Sequence, residues 1–118
     1  MNPQAYHFKL NTKPLSVNNA YKGQKYKTDQ YKAYERLVLL SLPKLREELP
    51  EMIRLEYHFG FSSRNSDVDN PVKLITDILQ RKFSFNDSRV WEITARKSIV
   101  KKGEEFICIG IHSYLPFD

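Results

Sequence analysis

The chain is poor in cysteine and glycine, with one and four of them, and it holds no internal repeat and no low-complexity run. A single thiol excludes an internal disulfide framework and leaves no second thiolate for a zinc cluster. Cys108, set in Phe106-Ile107-Cys108-Ile109, reads as a buried strand residue and not a reactive thiol. His7, His58 and His112 are scattered singly in strand-like stretches, so no His/Cys zinc spacing exists. No apolar run approaches the ~18 residues that cross a bilayer. Met1 to His7 lacks the basic start and apolar run of a signal peptide, so the expectation is a soluble, cytoplasmic chain with no membrane partner. The composition, 41% hydrophobic and 28% charged, describes a folded chain and not a disordered tail. Its 118 residues suit one domain over 1–118.

What the chain has in excess is positive charge. A net charge of +5 and a pI near 9.3 point toward a polyanionic partner. Lys9, Lys13, Lys22, Lys25, Lys27 and Lys32 stand against one acid, Asp29, whereas Asp67, Asp69, Asp77, Asp87 and Glu92 gather further on. A basic surface around an acidic pocket is what a metal-dependent enzyme acting on phosphodiesters needs.

Tyr6, Phe8 and Leu10 alternate with polar residues, which predicts a short half-buried strand. From Asn11 to Lys27 the turn formers Pro14, Ser16, Asn18, Asn19 and Gly23 predict a long polar loop, with Tyr21 and Tyr26 among the lysines. Lysines neutralise phosphates and tyrosine rings stack on unpaired bases, so Lys13, Asn18, Asn19, Lys22, Lys25 and Lys27 are candidate DNA contacts. A merely solvated loop fits the same residues. Thr28 can cap a helix through Leu40, with Tyr31, Tyr34, Leu37, Val38 and Leu42 as its apolar face. Pro43 should end it, with Lys44 to Glu48 able to form a further turn. Ile53, Leu55, Tyr57, Phe59 and Phe61 fall on alternate positions and give the clearest strand. Val90 to Val100 and Glu105 to His112 read as strands joined in a hairpin by Lys101-Lys102-Gly103-Glu104. The order β-α-β-α-β-β predicts an α+β fold, a small mixed or antiparallel sheet of about four strands packed with two helices.

The densest chemistry lies in Ser66-Asp67-Val68-Asp69-Asn70-Pro71-Val72-Lys73, followed later by Asn86-Asp87. Asn70 suits a helix N-cap and Pro71 the first helical position. Leu74, Ile75, Ile78 and Leu79 then bury one side and expose Lys73 and Asp77. Two apart in an extended lead-in, Asp67 and Asp69 should point the same way, at the positive end of the helix dipole. A third carboxylate beside them meets like-charge repulsion of roughly 4 kcal/mol at ~4 Å and an effective dielectric near 20. A divalent cation reverses that sign, and an all-oxygen donor set suits Mg²⁺ or Mn²⁺. A calcium loop fails on inspection, because its glycine and glutamate positions counted from Asp67 hold Val72 and Ile78. Two plainer readings stand beside the metal site. Asp67 and Asp69 can simply cap a helix, and Lys73 can simply pair with Asp77 one turn on.

Asp67-Val68-Asp69-Asn70-Pro71-Val72-Lys73 with Asp77, then Phe85-Asn86-Asp87-Ser88-Arg89-Val90, resembles the RusA family of Holliday-junction resolvases. Pro14-Leu15-Ser16-Val17-Asn18-Asn19-Ala20-Tyr21 resembles that family's loop after the first strand. The resemblance implies a homodimeric, Mg²⁺-dependent crossover junction endodeoxyribonuclease that nicks two strands of a four-way DNA junction symmetrically. It also implies a role in recombination and repair, frequent phage or prophage origin, and no small-molecule cofactor. By the same resemblance Asp67, Asp69 and Asp87 match the catalytic, metal-holding acids, Lys73 the catalytic lysine, and Asn70 a residue that holds the loop. The family often has two adjacent acids where this chain has Asn86-Asp87, which leaves one carboxylate fewer. Glu92 reads as a solvated strand residue more readily than as an accessory ligand. The rival readings are a non-catalytic basic nucleic-acid-binding protein whose acids only cap a helix, and a small dimeric interaction protein with incidental charge.

Overall fold

Apolar side chains at every second position from 53 to 61 make a strand with one face suited to a core. In the computed structural model, which describes residues 5–16, 20–22, 26–45 and 47–116, this strand is β4 (Ile53–Phe61). β1 (Ala5–Leu10), β5 (Val90–Ile99) and β6 (Phe106–Ser113) complete a four-stranded sheet of order β1-β6-β4-β5. β6 is antiparallel to both neighbours, and β5 is parallel to β4. With helices α1 (Asp29–Ser41) and α2 (Val72–Phe83) the class is α+β with a mixed sheet, as the pattern predicts.

Both helices contribute to the core on one face of the sheet. Leu55, Tyr57 and Phe59 of β4 and Ile107, Ile109 and Ile111 of β6 are buried in one cluster with Tyr31, Tyr34 and Val38 of α1 and Leu74, Ile75, Ile78 and Leu79 of α2. Each such side chain contributes roughly 1.5–3 kcal/mol on burial. Thr28 caps α1 as expected, its hydroxyl accepting from the Tyr31 N–H at 3.1 Å. Leu37, expected on the apolar face, is instead 49% exposed, because the buried stripe runs through Tyr31, Tyr34 and Val38. After Leu42 the described residues up to Glu48 are not helical, so the further turn does not form among them.

Three readings of the chain are corrected. Strands β5 and β6 do not form a hairpin: β4 lies between them, and the turn at 100–105 passes over its end. That turn is real, with the Glu104 N–H bonded to the Lys101 carbonyl and Gly103 at φ 93, a conformation suited to glycine. However, the Val100 N–H donates to Phe61 at 2.7 Å, which ties β5 to β4. The predicted loop 11–27 contains two short antiparallel strands, β2 (Tyr21–Lys22) and β3 (Tyr26–Lys27), anchored by the Thr28 N–H on the Ala20 carbonyl. Cys108 is half-buried on the sheet face opposite the core, because its neighbours Ile107 and Ile109 take the core side. Among the described residues no helix is long and apolar enough to cross a membrane.

Candidate active site

α2 begins one residue later than the sequence suggests. Its first residue is Val72, and Pro71 flanks it with near-helical dihedrals, φ −82 and ψ −9. The Pro71 carbonyl takes the Ile75 N–H at 3.1 Å, and no side chain caps this end. Asn70 is therefore not the cap; its amide donates to Asp67 Oδ2 at 3.3 Å. The proline ring fixes the entry and lacks an N–H, so one fewer donor needs an acceptor.

The lead-in is bent at Val68 and Asp69, not extended, and a turn closes from the Val72 N–H to the Asp69 carbonyl at 3.1 Å. Asp67 and Asp69 consequently open on different cavities. Asp67 lines one with Thr12, Lys13, Ser16, Gln30 and Tyr34. Asp69 lines a trough of about 610 Å³ between α2 and β5, shared with Lys73, Asp77, Asp87, Ile93 and Ala95. Glu92 lies on the other face of β5, with Arg54 Nε 4.0 Å away, and does not line the trough.

The trough is electrostatically unfinished. Among the described residues, no hydrogen bond or ion pair engages the side chains of Asp69, Lys73, Asp77 or Asp87, so the plain i,i+4 pairing of Lys73 with Asp77 is not formed. Lys73 lies in the first turn of α2, where the helix dipole disfavours a cation. A lysine held there beside three carboxylates suits an anionic ligand whose charge is partly offset by a bound cation. Beneath it, the Tyr57 hydroxyl and Thr76 Oγ1 meet at 2.7 Å, and burial pushes the Tyr57 phenol pKa up.

Asp69 and Asp87 enter the trough from opposite ends. Lys97 Nζ donates to the carbonyls of Arg64 at 3.2 Å and Ser66 at 2.6 Å, which fastens the loop leading to Asp67 and Asp69 near the C-terminal end of β5. Asp87 belongs to a 3₁₀ turn, Asp87–Arg89, that runs straight into Val90, opposite Ile53 at the start of β4. At ~3.3 Å per residue the strand from Val90 to Lys97 covers roughly 20 Å. Among the described residues no three His, Cys, Asp or Glu side chains converge as a metal-binding group. Within one chain, Asp87 is thus not gathered with Asp67 and Asp69.

Sequence reading missed two braces. Arg89 donates to the carbonyls of Leu49 at 3.1 Å, Pro50 at 2.6 Å and Glu51 at 3.2 Å, and so fixes the Asp87 turn. Its place two residues after Asp87 was the available signal. Lys97 carries none, because its partners lie more than 30 residues away. Asn86 has a local task, its Oδ1 accepting the Ser88 N–H at 2.9 Å.

Of the candidate DNA contacts, Lys13 is exposed beside Asp67. Lys27 is engaged, 3.1 Å from Glu35, which also meets Arg81. Burial raises the Glu35 pKa, but the hydrogen bonds from Arg81 and Lys27 outweigh it and hold the carboxyl below its ordinary value. For Lys22 only the backbone is described, and Asn18, Asn19 and Lys25 lie outside the described residues.

Comparison with protein families decides among the readings: the model of endodeoxyribonuclease RusA matches residues 9–110. The chain belongs to the RusA endodeoxyribonuclease family. A search of curated proteins returned no match. Membership makes the chain a nuclease of the class that cuts branched DNA, the Holliday junction, and removes the reading as a mere interaction protein. The matched segment contains the α2 entry, the trough and the Asp87 turn.

Asp69, Asp77 and Asp87 are the acids among the residues lining the trough, with no histidine or cysteine beside them, and carboxylate is the donor type that suits a hard cation. Mg²⁺ needs only one or two carboxylates, completing its shell with water and phosphate oxygens.

Proposed function

We propose that this RusA-family chain is a Mg²⁺-dependent endonuclease that resolves four-way DNA junctions by paired symmetric nicks, acting as a homodimer in recombination and repair. Mn²⁺ fits the same donor set. The observation that carries the reading is the unpaired Lys73 beside Asp69 at the dipole-positive end of α2, within the matched segment.

Asp69 beside Lys73 would anchor the cation, with Asp67 and Asp87 as the further carboxylates of the motif that a single chain leaves apart from it. A bound divalent ion would supply polarisation of the scissile phosphate and a lowered pKa for the attacking water. Lys73 would stabilise the charge that a phosphoryl oxygen gains on the way to the transition state. Asn70 keeps Asp67 oriented through the amide hydrogen bond. Two related sites on a two-fold axis suit two symmetric incisions.

A mobile four-way junction, compared with duplex DNA, with and without Mg²⁺, tests this reading. Paired nicks on the junction only with Mg²⁺ are the expected result. Binding without product under every metal condition would leave the non-catalytic alternative, in which the acids only shape a helix start.

A further inference from the structure

α1 carries a second stripe beside the one it buries in the core. Gln30, Ala33, Tyr34 and Leu37 follow the i, i+3, i+4, i+7 spacing of one helix face, and Leu37 is 49% exposed there instead of packing against the sheet. This stripe is one wall of a cleft of about 580 Å³. The segment 12–16 after β1 gives a second wall, and the end of β4 with the loop 65–71 gives a third. Apolar walls with a few convergent polar groups, in a volume of several hundred Å³, are the make-up of a small-ligand site.

The lining suits an occupant that is flat and polar at its edge. Leu15, Leu37, Phe61 and Pro71 offer apolar surface that shelters a ring from water. Gln30 and Asn65 offer amides, and among the described residues neither side chain makes a hydrogen bond. An amide presents a donor and an acceptor side by side, the pattern that pairs with the edge of a nucleobase. The Tyr34 hydroxyl is buried and forms no hydrogen bond among the described residues, the nearby Leu15 backbone falling short of one. A buried polar group left in that state costs stability until something pairs with it.

The cleft adjoins the trough. The α2 entry divides them: Asp67, Asn70 and Pro71 line the cleft, whereas Asp69, Val72 and Lys73 line the trough. A strand whose scissile phosphate lies by Asp69 and Lys73 therefore has its adjoining nucleotide within reach of the cleft. At a branch point that nucleotide leaves its stack at a smaller cost than inside a duplex. We propose that the cleft receives one unstacked base of the DNA strand being cut, beside the scissile phosphate, and that Gln30 and Asn65 read its edge and set which base is favoured there. The proposal rests on the nuclease reading for the identity of the strand, so binding of the base is tested apart from cutting.

Binding is read without metal, at saturating protein, on four-way junctions that carry the fluorescent base 2-aminopurine at successive positions around the branch point. One position should respond to wild type at least about twofold more than its neighbours, as an unstacked base does, and should lose that response with Leu37→Glu, a change at an exposed residue of the cleft. A wild type to which no position responds, or a response untouched by Leu37→Glu, overturns the cleft as a base site. Reading of the base is tested with Mg²⁺ on junctions that differ only in the base beside the mapped nick. The ratio of kcat/KM between the most and the least favoured base should fall by at least about fivefold in Gln30→Ala and in Asn65→Ala, the lower end of what a base-edge pair discriminates. Gln30→Glu, which keeps the shape and removes the amide donor, should change which base is favoured, an effect that a merely structural role would not produce. An unchanged preference in all three variants, or a wild type that cuts beside every base alike, overturns the assignment of Gln30 and Asn65. A wild type that shows the fluorescence response but never nicks counts against the nuclease reading alone.

Discussion

At the scale of single residues, the site is set by charges that the fold leaves without partners among the described residues. Lys73 at the start of α2 meets neither Asp77 nor any other acid among the described residues, in a position the dipole makes unfavourable. Replacing Lys73 with alanine should therefore lower the turnover of junction cleavage by at least about tenfold, within the range of electrostatic contributions to catalysis. Junction affinity measured without Mg²⁺ should change little, and an unchanged turnover would remove Lys73 from the mechanism. Glu35 shows the opposite design, a carboxylate 13% exposed and clamped by Lys27 and Arg81. Its folded pKa lies below the unfolded value near 4.5, so its contribution is complete above that value and is lost as pH falls through the folded pKa. Thermal unfolding of Glu35→Gln and wild type should thus differ at pH 7 and converge as the pH falls below 4.5 and through the folded pKa. A constant gap would show that Glu35 acts through packing alone.

At the scale of elements, local chemistry was readable and long-range pairing was not. The Thr28 cap, the Ile53–Phe61 alternation and the apolar stripe of α2 follow from neighbours within four residues, and each stands where the sequence puts it. Thr28→Ala should accordingly cost about 1 kcal/mol of stability in denaturant titrations, and a loss near zero would mean that water replaces the cap. The strand pairing at 90–113 misleads because Gly103 forms a true turn, while the bond from Val100 to Phe61 that inserts β4 between β5 and β6 joins residues 39 apart. The acid motif was legible as residue types but not as geometry. A one-residue change in where α2 begins, with a bend at Val68, turns Asp67 and Asp69 into different cavities. The separation of Asp87 follows from a parallel β4-α2-β5 crossover, in which the loop before the helix and the turn after it fall at opposite ends of the sheet.

At the scale of the whole molecule, excess positive charge and a family match covering residues 9–110 describe a protein that meets DNA first by charge and then by shape. Lys13 and Lys27 separate these contributions, because Lys13 is exposed beside Asp67 whereas Lys27 is committed to Glu35. Junction binding measured across salt should show a slope shallower by about one unit for Lys13→Ala, and a nearly unchanged slope for Lys27→Ala. Equal slopes for Lys13→Ala and wild type would place the DNA elsewhere. Metal binding by Asp69 at the mouth of α2 is read by giving Asp69→Asn a four-way junction with Mg²⁺ while measuring binding in parallel. Cleavage should disappear while junction binding survives; near-normal cleavage by Asp69→Asn would remove Asp69 as a metal ligand.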